Sequence, residues 1–433
     1  MSNQLTTTNQ NAKLALSKSK SLLNITNSLL AKKDDKWIEK LFKWADENNI
    51  PNYEWVEDKD YDEGGYYNGI PRDATLLKLK TLRLYDLDFK QLPNEFFNLI
   101  QLEELKIKNS NLRNLSSEIK KLKNLRDLYL AKNQLSELPN ELQSLTELTD
   151  IHLHTNNFKV FPEVLHSIKS LIHICINQNK IKYIPKEIGQ LKNLEFFNLF
   201  ENMIKDLPIE LFTLRNLKKL VVSNNQISLI QKEIGQLKNL ELLYAHENMI
   251  KDLPIELFEL RNLKTLAISD NQISLIPKEI KQLKNLESLY ASSNKIEVLP
   301  QELFDLDNLK ELTLYGNQLK YIPKEIGQLK NLEDFRIHKN YIKNIPSEIG
   351  DLIQINFLTL GDNNILDVLP DEICNLNIST FLNLENMNRL VLTKKQKDWI
   401  NQLKNNGCTV YTDGDLFSRF TPQIDIDEDE IPF

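Results

Sequence analysis

Five of the six histidines (His152, His154, His173, His246 and His338) fall on one register of a recurring pattern, with Asp150 and Cys175 beside three of them. If neighbouring segments pair as strands, Asp150, His152 and His154 lie against His173 and Cys175, a donor set of the kind zinc takes. No Cys-x-x-Cys pair supports a metal, and a polar patch touching a partner accounts for the same residues. The expectation is therefore no metal and no cofactor. Asp58, Asp60 and Asp62 alternate as in a calcium loop, but such a loop wants Gly sixth and Glu twelfth. Those places hold Glu63 and Gly69, so a solvated or partner-contacting loop is expected. A third group closes the given sequence. Asp425, Asp427, Glu428, Asp429 and Glu430 precede Ile431, Pro432 and Phe433. Most charge runs only solvate, but a solvating run has no need to finish on three apolar residues.

Reactive constellations are missing. There is no Gly-rich phosphate loop, no His-Glu-x-x-His and no nucleophile elbow, so catalysis is not expected. Cys175, Cys374 and Cys408 are odd in number and widely spaced, which does not make a disulfide framework and fits a reducing compartment. The 433 residues carry 54 basic and 61 acidic side chains, a formal charge of −7, which argues against direct nucleic-acid binding. No run approaches the roughly 18 apolar residues of a membrane span. The N-terminal MSNQLTTTNQN lacks the apolar core of a secretory signal. A cytoplasmic protein with no membrane partner is expected.

A strict repeat positions these residues. The pattern L-x-x-L-x-L-x-x-N-x-L-x-x-L-P starts at Leu79, returns every 23 residues through Leu332, and ends with a thirteenth copy from Ile355. Apolar residues that alternate with exposed ones predict a short strand, which must stack on its neighbours to bury its apolar face. The recurring Asn, from Asn133 in steps of 23 to Asn363, follows the strand where the chain turns inward. A buried amide there can donate to and accept from turn backbones, which predicts a ladder of asparagines. Leu87 and Ser110 replace it in the first two repeats. Pro185 and its equivalents suit the first turn of a short helix. Residues 201–220 recur at 247–266 with two changes, so the duplicated unit is two repeats, an LPIELF type and an IPKEIGQL type.

The ends are expected to cap this array. Residues 1–50 read as a helical N-terminal cap, with Leu22, Ile25 and Leu29 on one helix and Trp37, Leu41 and Trp44 on another. Residues 51–78 read as an acidic and aromatic connecting loop. Residues 79–392 hold the thirteen repeats and a final strand. Residues 393–416 form a C-terminal cap, with a helix over Lys394–Asn405, a stop at Gly407 and a last strand over Cys408–Tyr411. Residues 417–433 are expected to be a disordered acidic tail.

Over roughly 79–392 the sequence resembles leucine-rich-repeat proteins of the 23-residue class with the L-P-x-E-I-x-x-L-x-N signature. That class is common among bacterial intracellular proteins and similar to the Ras-binding repeat proteins of eukaryotes. The resemblance implies an α/β solenoid of horseshoe form, with a concave parallel sheet, short helices on the convex side and a helical N-terminal cap. It also implies a non-enzymatic protein-binding scaffold that uses the outward strand positions: the second, fourth and sixth residues after each starting apolar residue. These include Tyr85, Tyr129, His152, His154, His173, Phe196, Phe200, Tyr244, His246, Tyr290, Tyr315, Arg336 and His338. The segment Asp427, Glu428, Asp429, Glu430, Ile431, Pro432 and Phe433 resembles the C-terminal tail of bacterial single-stranded DNA-binding proteins. That resemblance implies a docking peptide for DNA replication and repair enzymes. The alternative is a regulator or effector that binds a small GTPase or other signalling protein.

Overall fold

A computed structural model describes residues 36–56 and 65–412. The helix expected around Leu22, Ile25 and Leu29, the stretch from Asp58 to Glu63, and the acidic segment from Asp427 to Phe433 lie outside the described residues. The chain divides into two compact units, one ending at Asn179 and one starting at Lys180.

In the first unit, α1 (Lys36–Glu47) buries Ile38, Leu41 and Ala45. Trp37 and Trp44 are only half-buried on its flanks, and Trp44 meets Phe89 edge-on at 5.4 Å. The described parts of the connecting stretch are not all loop. Within it β1 (Glu54–Val56) and β2 (Tyr66–Asn68) pair antiparallel. Five parallel strands follow: β3 (Thr81–Tyr85), β4 (Glu104–Lys108), β5 (Asp127–Tyr129), β6 (Asp150–His152) and β7 (His173–Cys175). Their register is offset by 23 residues, so Asp150 faces His173 and His152 faces Cys175.

The second unit holds ten parallel strands, from β8 (Phe196–Asn198) to β17 (Thr409–Thr412). The same 23-residue offset holds through β15 (Phe357–Thr359), and the extra residue before Leu369-Pro370 lengthens the next step to 24, pairing Phe357 with Phe381. Before the last strand lies α2 (Lys394–Asn405), which starts in a capping box between Thr393 and Gln396 and buries Trp399, Ile400 and Leu403. No helix among the described residues is long and apolar enough to cross a membrane.

The short helices are five-residue 3-10 turns such as Lys186–Gln190. An α-helix is about 10 Å wide, and its copies do not stack at the strand spacing of about 4.8 Å. The tighter 3-10 turn relieves that mismatch. Pro185 precedes its turn with extended backbone (φ −70°, ψ 150°), so it caps the turn where the first helical position was expected. In the second unit these turns alternate Phe212, Phe258 and Phe304, all fully buried, with Gly189, Gly235, Lys281 and Gly327. A Cβ on Gly235 would lie 2.7 Å from the Glu256 carbonyl oxygen. Where glycine stands, a two-repeat unit thus pairs a large residue with one that lets the next turn approach.

The asparagine ladder forms as expected. Asn340 Nδ2 lies within 2.9 Å of the Leu314 carbonyl, 3.0 Å of Ile337 and 3.2 Å of His338. Its Oδ1 accepts from the Leu319 amide at 3.0 Å. Two of these partners belong to the preceding repeat. Ser110 supplies a shorter rung, accepting from the Leu87 amide and donating to the Leu84 and Lys108 carbonyls. The residue before each rung is left-handed. Thirteen such residues, from Asp86 (φ 57°) to Asp362 (φ 55°) in steps of 23, have positive φ, and Gly316 is the one glycine among them. A second, exposed ladder was not anticipated: Asn216, Asn239, Asn262 and their equivalents donate to the carbonyl 24 residues earlier.

Two adjacent substitutions should move stability in opposite directions. Asn340→Ala leaves the Leu319 amide and several carbonyls buried without partners and should cost at least about 2 kcal/mol. Lys339→Gly removes the strain of a left-handed side chain at φ 55° and should gain about 0.5–1 kcal/mol. Urea unfolding followed by circular dichroism measures both.

Candidate binding face

In the three-residue strands the middle residue points into the core, and in β3 and β4 the second and fourth residues do, so the outward positions of successive repeats form rows across the sheet. Neighbouring strands lie about 4.8 Å apart, close enough for ring-to-ring contact along a row.

In the first unit the row begins with Tyr85, whose ring centre is 4.9 Å from that of Tyr66. Burial pushes its hydroxyl pKa up to about 12. Lys106 bridges Asp127 at 2.8 Å and Glu104 at 3.7 Å. Burial raises the Asp127 pKa against the pull of Lys106, and its buried Oδ1 has no hydrogen-bond partner among the described residues. Next comes the histidine patch. The Tyr129 hydroxyl meets His154 Nε2 at 2.9 Å, and its ring lies 4.9 Å from His152. His173 Nδ1 pairs with Asp150, which also accepts from Thr149 at 2.5 Å. Burial would raise the Asp150 pKa, but the bonds from His173 and Thr149 outweigh it and hold it below the usual carboxylate value. Cys175 is buried beside His152. The possible zinc donors therefore face separate partners, and no group of three or more metal-ligating side chains is assembled among the described residues.

In the second unit the Lys219 ammonium lies 5.8 Å from the Phe196 ring centre, and burial lowers its pKa. Phe200 is half-buried. Tyr244 tilts against His246 at 6.1 Å, and His246 Nδ1 lies 3.0 Å from Ser223 Oγ. The Tyr290 hydroxyl donates to Glu311, and burial followed by that bond raises its pKa. Tyr315 stacks flat on His338 at 4.6 Å, and His338 Nδ1 lies 2.8 Å from Thr359 Oγ1. Arg336 forks onto Asp334 at 2.7–3.1 Å and covers the Phe357 ring at 4.1 Å. Phe357 in turn stacks on Phe381 at 4.6 Å, and Phe381 meets Tyr411 edge-on at 5.3 Å.

All thirteen candidate residues lie at the outward positions, but their expected exposure needs correction. His152, Phe196 and His338 are buried, at 8%, 3% and 4% exposed. The other ten are half-buried. Stacking between repeats covers their faces and leaves mainly edges to solvent. Phe381 and Tyr411 extend the row past the repeats and were not among the candidates. The alternation in Phe381–Leu384 was the available signal, and the extra residue before it hid the register.

Comparison with known proteins gives a consistent picture. A family model described as leucine-rich repeat region matches residues 163–269 and 256–338, and a leucine-rich-repeat model matches 124–145. The search of curated proteins returns no match. Among solved structures, a leucine-rich-repeat protein of Leptospira interrogans is 34% identical, covers 77% of this chain and 78% of its own, and superposes with a TM-score of 0.65. An internalin of Listeria monocytogenes is 21% identical, covers 68% and 87%, and has a TM-score of 0.60. The plant peptide hormone receptor RGFR1 in complex with RGF2 is 24% identical, covers 78% and 63%, and has a TM-score of 0.57. The last two show likeness of fold alone.

The buried histidines make stability depend on pH. Burial lowers the pKa of His152 to about 3, with the nearby His154 adding to it, and lowers His246 and His338 to about 4. Unfolded histidine titrates near 6.5. The unfolded chain therefore takes protons first, so stability is full above about 6.5 and falls as pH drops toward the folded values. His338→Gln should reduce the stability lost between about pH 7 and 5 by roughly 2 kcal/mol, read from urea unfolding at the two pH values. In an imidazole NMR titration these three rings should stay largely neutral down to about pH 5.

Proposed function

Since this chain belongs to the leucine-rich-repeat proteins, we propose that it is a non-enzymatic scaffold of the bacterial cytoplasm that grips a protein partner on the outward face of its strands. The observation that carries this reading is the pinned set Tyr290, Tyr315 and Arg336. Each is held by a neighbour (Glu311, His338 and Asp334 respectively) and each keeps part of its surface open. Tyr and Arg are the side chains that most often dominate protein interfaces. Side chains already fixed lose little freedom when a partner arrives, so more of the contact energy appears as affinity. The mixture of rings and charges favours a partner with its own apolar and polar groups over a nucleic acid or a membrane.

Sequence chemistry supports a second contact. The acids Asp427–Glu430 followed by Ile431, Pro432 and Phe433 suit a partner pocket that is apolar inside and basic at its rim. By that resemblance the partner is an enzyme of DNA replication or repair. The alternative partner for the strand face is a small GTPase or another signalling protein.

Affinity purification from a bacterial lysate tests the face. Tyr315→Ala with Arg336→Ala should cut recovery of the captured protein by about tenfold or more while circular dichroism stays unchanged. Equal recovery would remove the face as the binding site. Capture of a nucleotide-bound GTPase would favour the alternative. A fluorescent peptide of residues 424–433, titrated with DNA-maintenance enzymes beside a version lacking Phe433, tests the tail. Equal binding of both peptides, or none, would exclude that role.

A further inference from the structure

We propose that the cavity beside α2 is a docking site for this chain's own segment Asp425–Phe433. The cavity measures about 550 Å³, within the range of roughly 300–1,000 Å³ typical of ligand pockets. Met387, Leu390, Val391 and Ile400 make its apolar surface, and Lys397 and Lys404 stand at it from α2. Val391 is 70% exposed, more than any other large apolar residue described. An apolar hollow flanked by cations fits an occupant that carries apolar side chains directly beside acids.

This chain contains such an occupant. Ile431 and Phe433 supply the apolar groups, Pro432 restricts the backbone between them, and Asp425, Asp427, Glu428, Asp429 and Glu430 supply the charge opposite to the two lysines. The point of attachment favours an intramolecular contact. Thr412, the last described residue, itself lines the cavity. The 19-residue separation from Thr412 to Ile431 reaches at most about 63–68 Å. Such a short tether gives an effective concentration on the order of millimolar, so even a weak contact forms. Docking would shelter Ile431 and Phe433, and a partner pocket would have to displace them. The inference goes beyond the reading of the strand face and does not depend on it. It also does not depend on whether any enzyme recognises the tail.

The test uses the full chain with the photo-crosslinking amino acid p-benzoylphenylalanine in place of Phe433. Irradiation at low protein concentration should join position 433 to residues 384–404 of the same molecule, as mapped by mass spectrometry. Lys397→Glu with Lys404→Glu should lower the yield about fivefold or more, and reversal of the acids by Asp427→Lys with Glu428→Lys should restore it. A cross-link between two molecules would assign the cavity to a second copy, and a cross-link elsewhere or none would also overturn the proposal. Hydrogen exchange on the otherwise native chain supplies a readout that does not depend on the bulkier analogue. Ile431→Ser with Phe433→Ser should speed exchange across residues 387–404, and unchanged exchange there would refute the docking. The peptide titration with enzymes is separate, so either idea can fail alone.

Discussion

The buried asparagine amide is the interaction on which the rest of this structure depends. A side chain with two N–H donors and one carbonyl oxygen, removed from water, must find partners or cost several kcal/mol. The ladder residues find them in the backbone of their own turn and of the repeat before. Asn340 joins His338 and Ile337 to Leu314 and Leu319 in this way. The bond pattern ties each rung to the preceding repeat, so a repeat alone would leave its amide unsatisfied as well as its apolar face exposed. The residue before each of these positions is left-handed, and a chain with 11 glycines builds thirteen such turns with one of them.

Exact repetition has a consequence for the outward face. Short strands at fixed spacing place equivalent positions side by side, so rings and charges that are distant in sequence meet as neighbours. Tyr315 lies on His338, Arg336 on Phe357 and Tyr129 beside His152. Crowding removes water from the imidazoles and holds His246 and His338 near a pKa of 4. At neutral pH these histidines therefore act as uncharged packing and hydrogen-bonding groups. Charge on the face comes instead from side chains such as Lys106, Lys219, Arg336 and the carboxylates beside them. A surface of this kind is stiff, and stiffness favours recognition of a complementary protein surface over adaptation to many.

The opposite side of the repeats is governed by thickness. The 3-10 turns fit a narrow repeat, and the alternation of Phe258 with Gly235 shows how one turn fills space that its neighbour leaves. The two-repeat duplication thus has a packing logic. Where the ladder residue is missing, other side chains bond the backbone nearby: Ser110 in the second repeat, and Asn68 of β2, whose amide bonds the backbone of Tyr85.

Sequence by itself determined the period, the strand and turn within each repeat, the inward leucines, the asparagine rungs, and which residues stand on the outward rows. These follow from local alternation and from a repeat that admits one register. It did not determine how exposed those outward residues are, because exposure depends on the neighbour 23 residues away. Phe196 and His338 read as surface positions and are buried by their surroundings. The hairpin of Glu54–Val56 with Tyr66–Asn68 was hidden in an acidic stretch with no alternating pattern, and Phe381 was masked by one inserted residue. The division of the histidine patch into an Asp150–His173 pair and a Tyr129–His154 pair was also a tertiary outcome. Composition and spacing brought the possible ligands to one place. Side-chain geometry between strands, which no local pattern encodes, decided which atoms they meet.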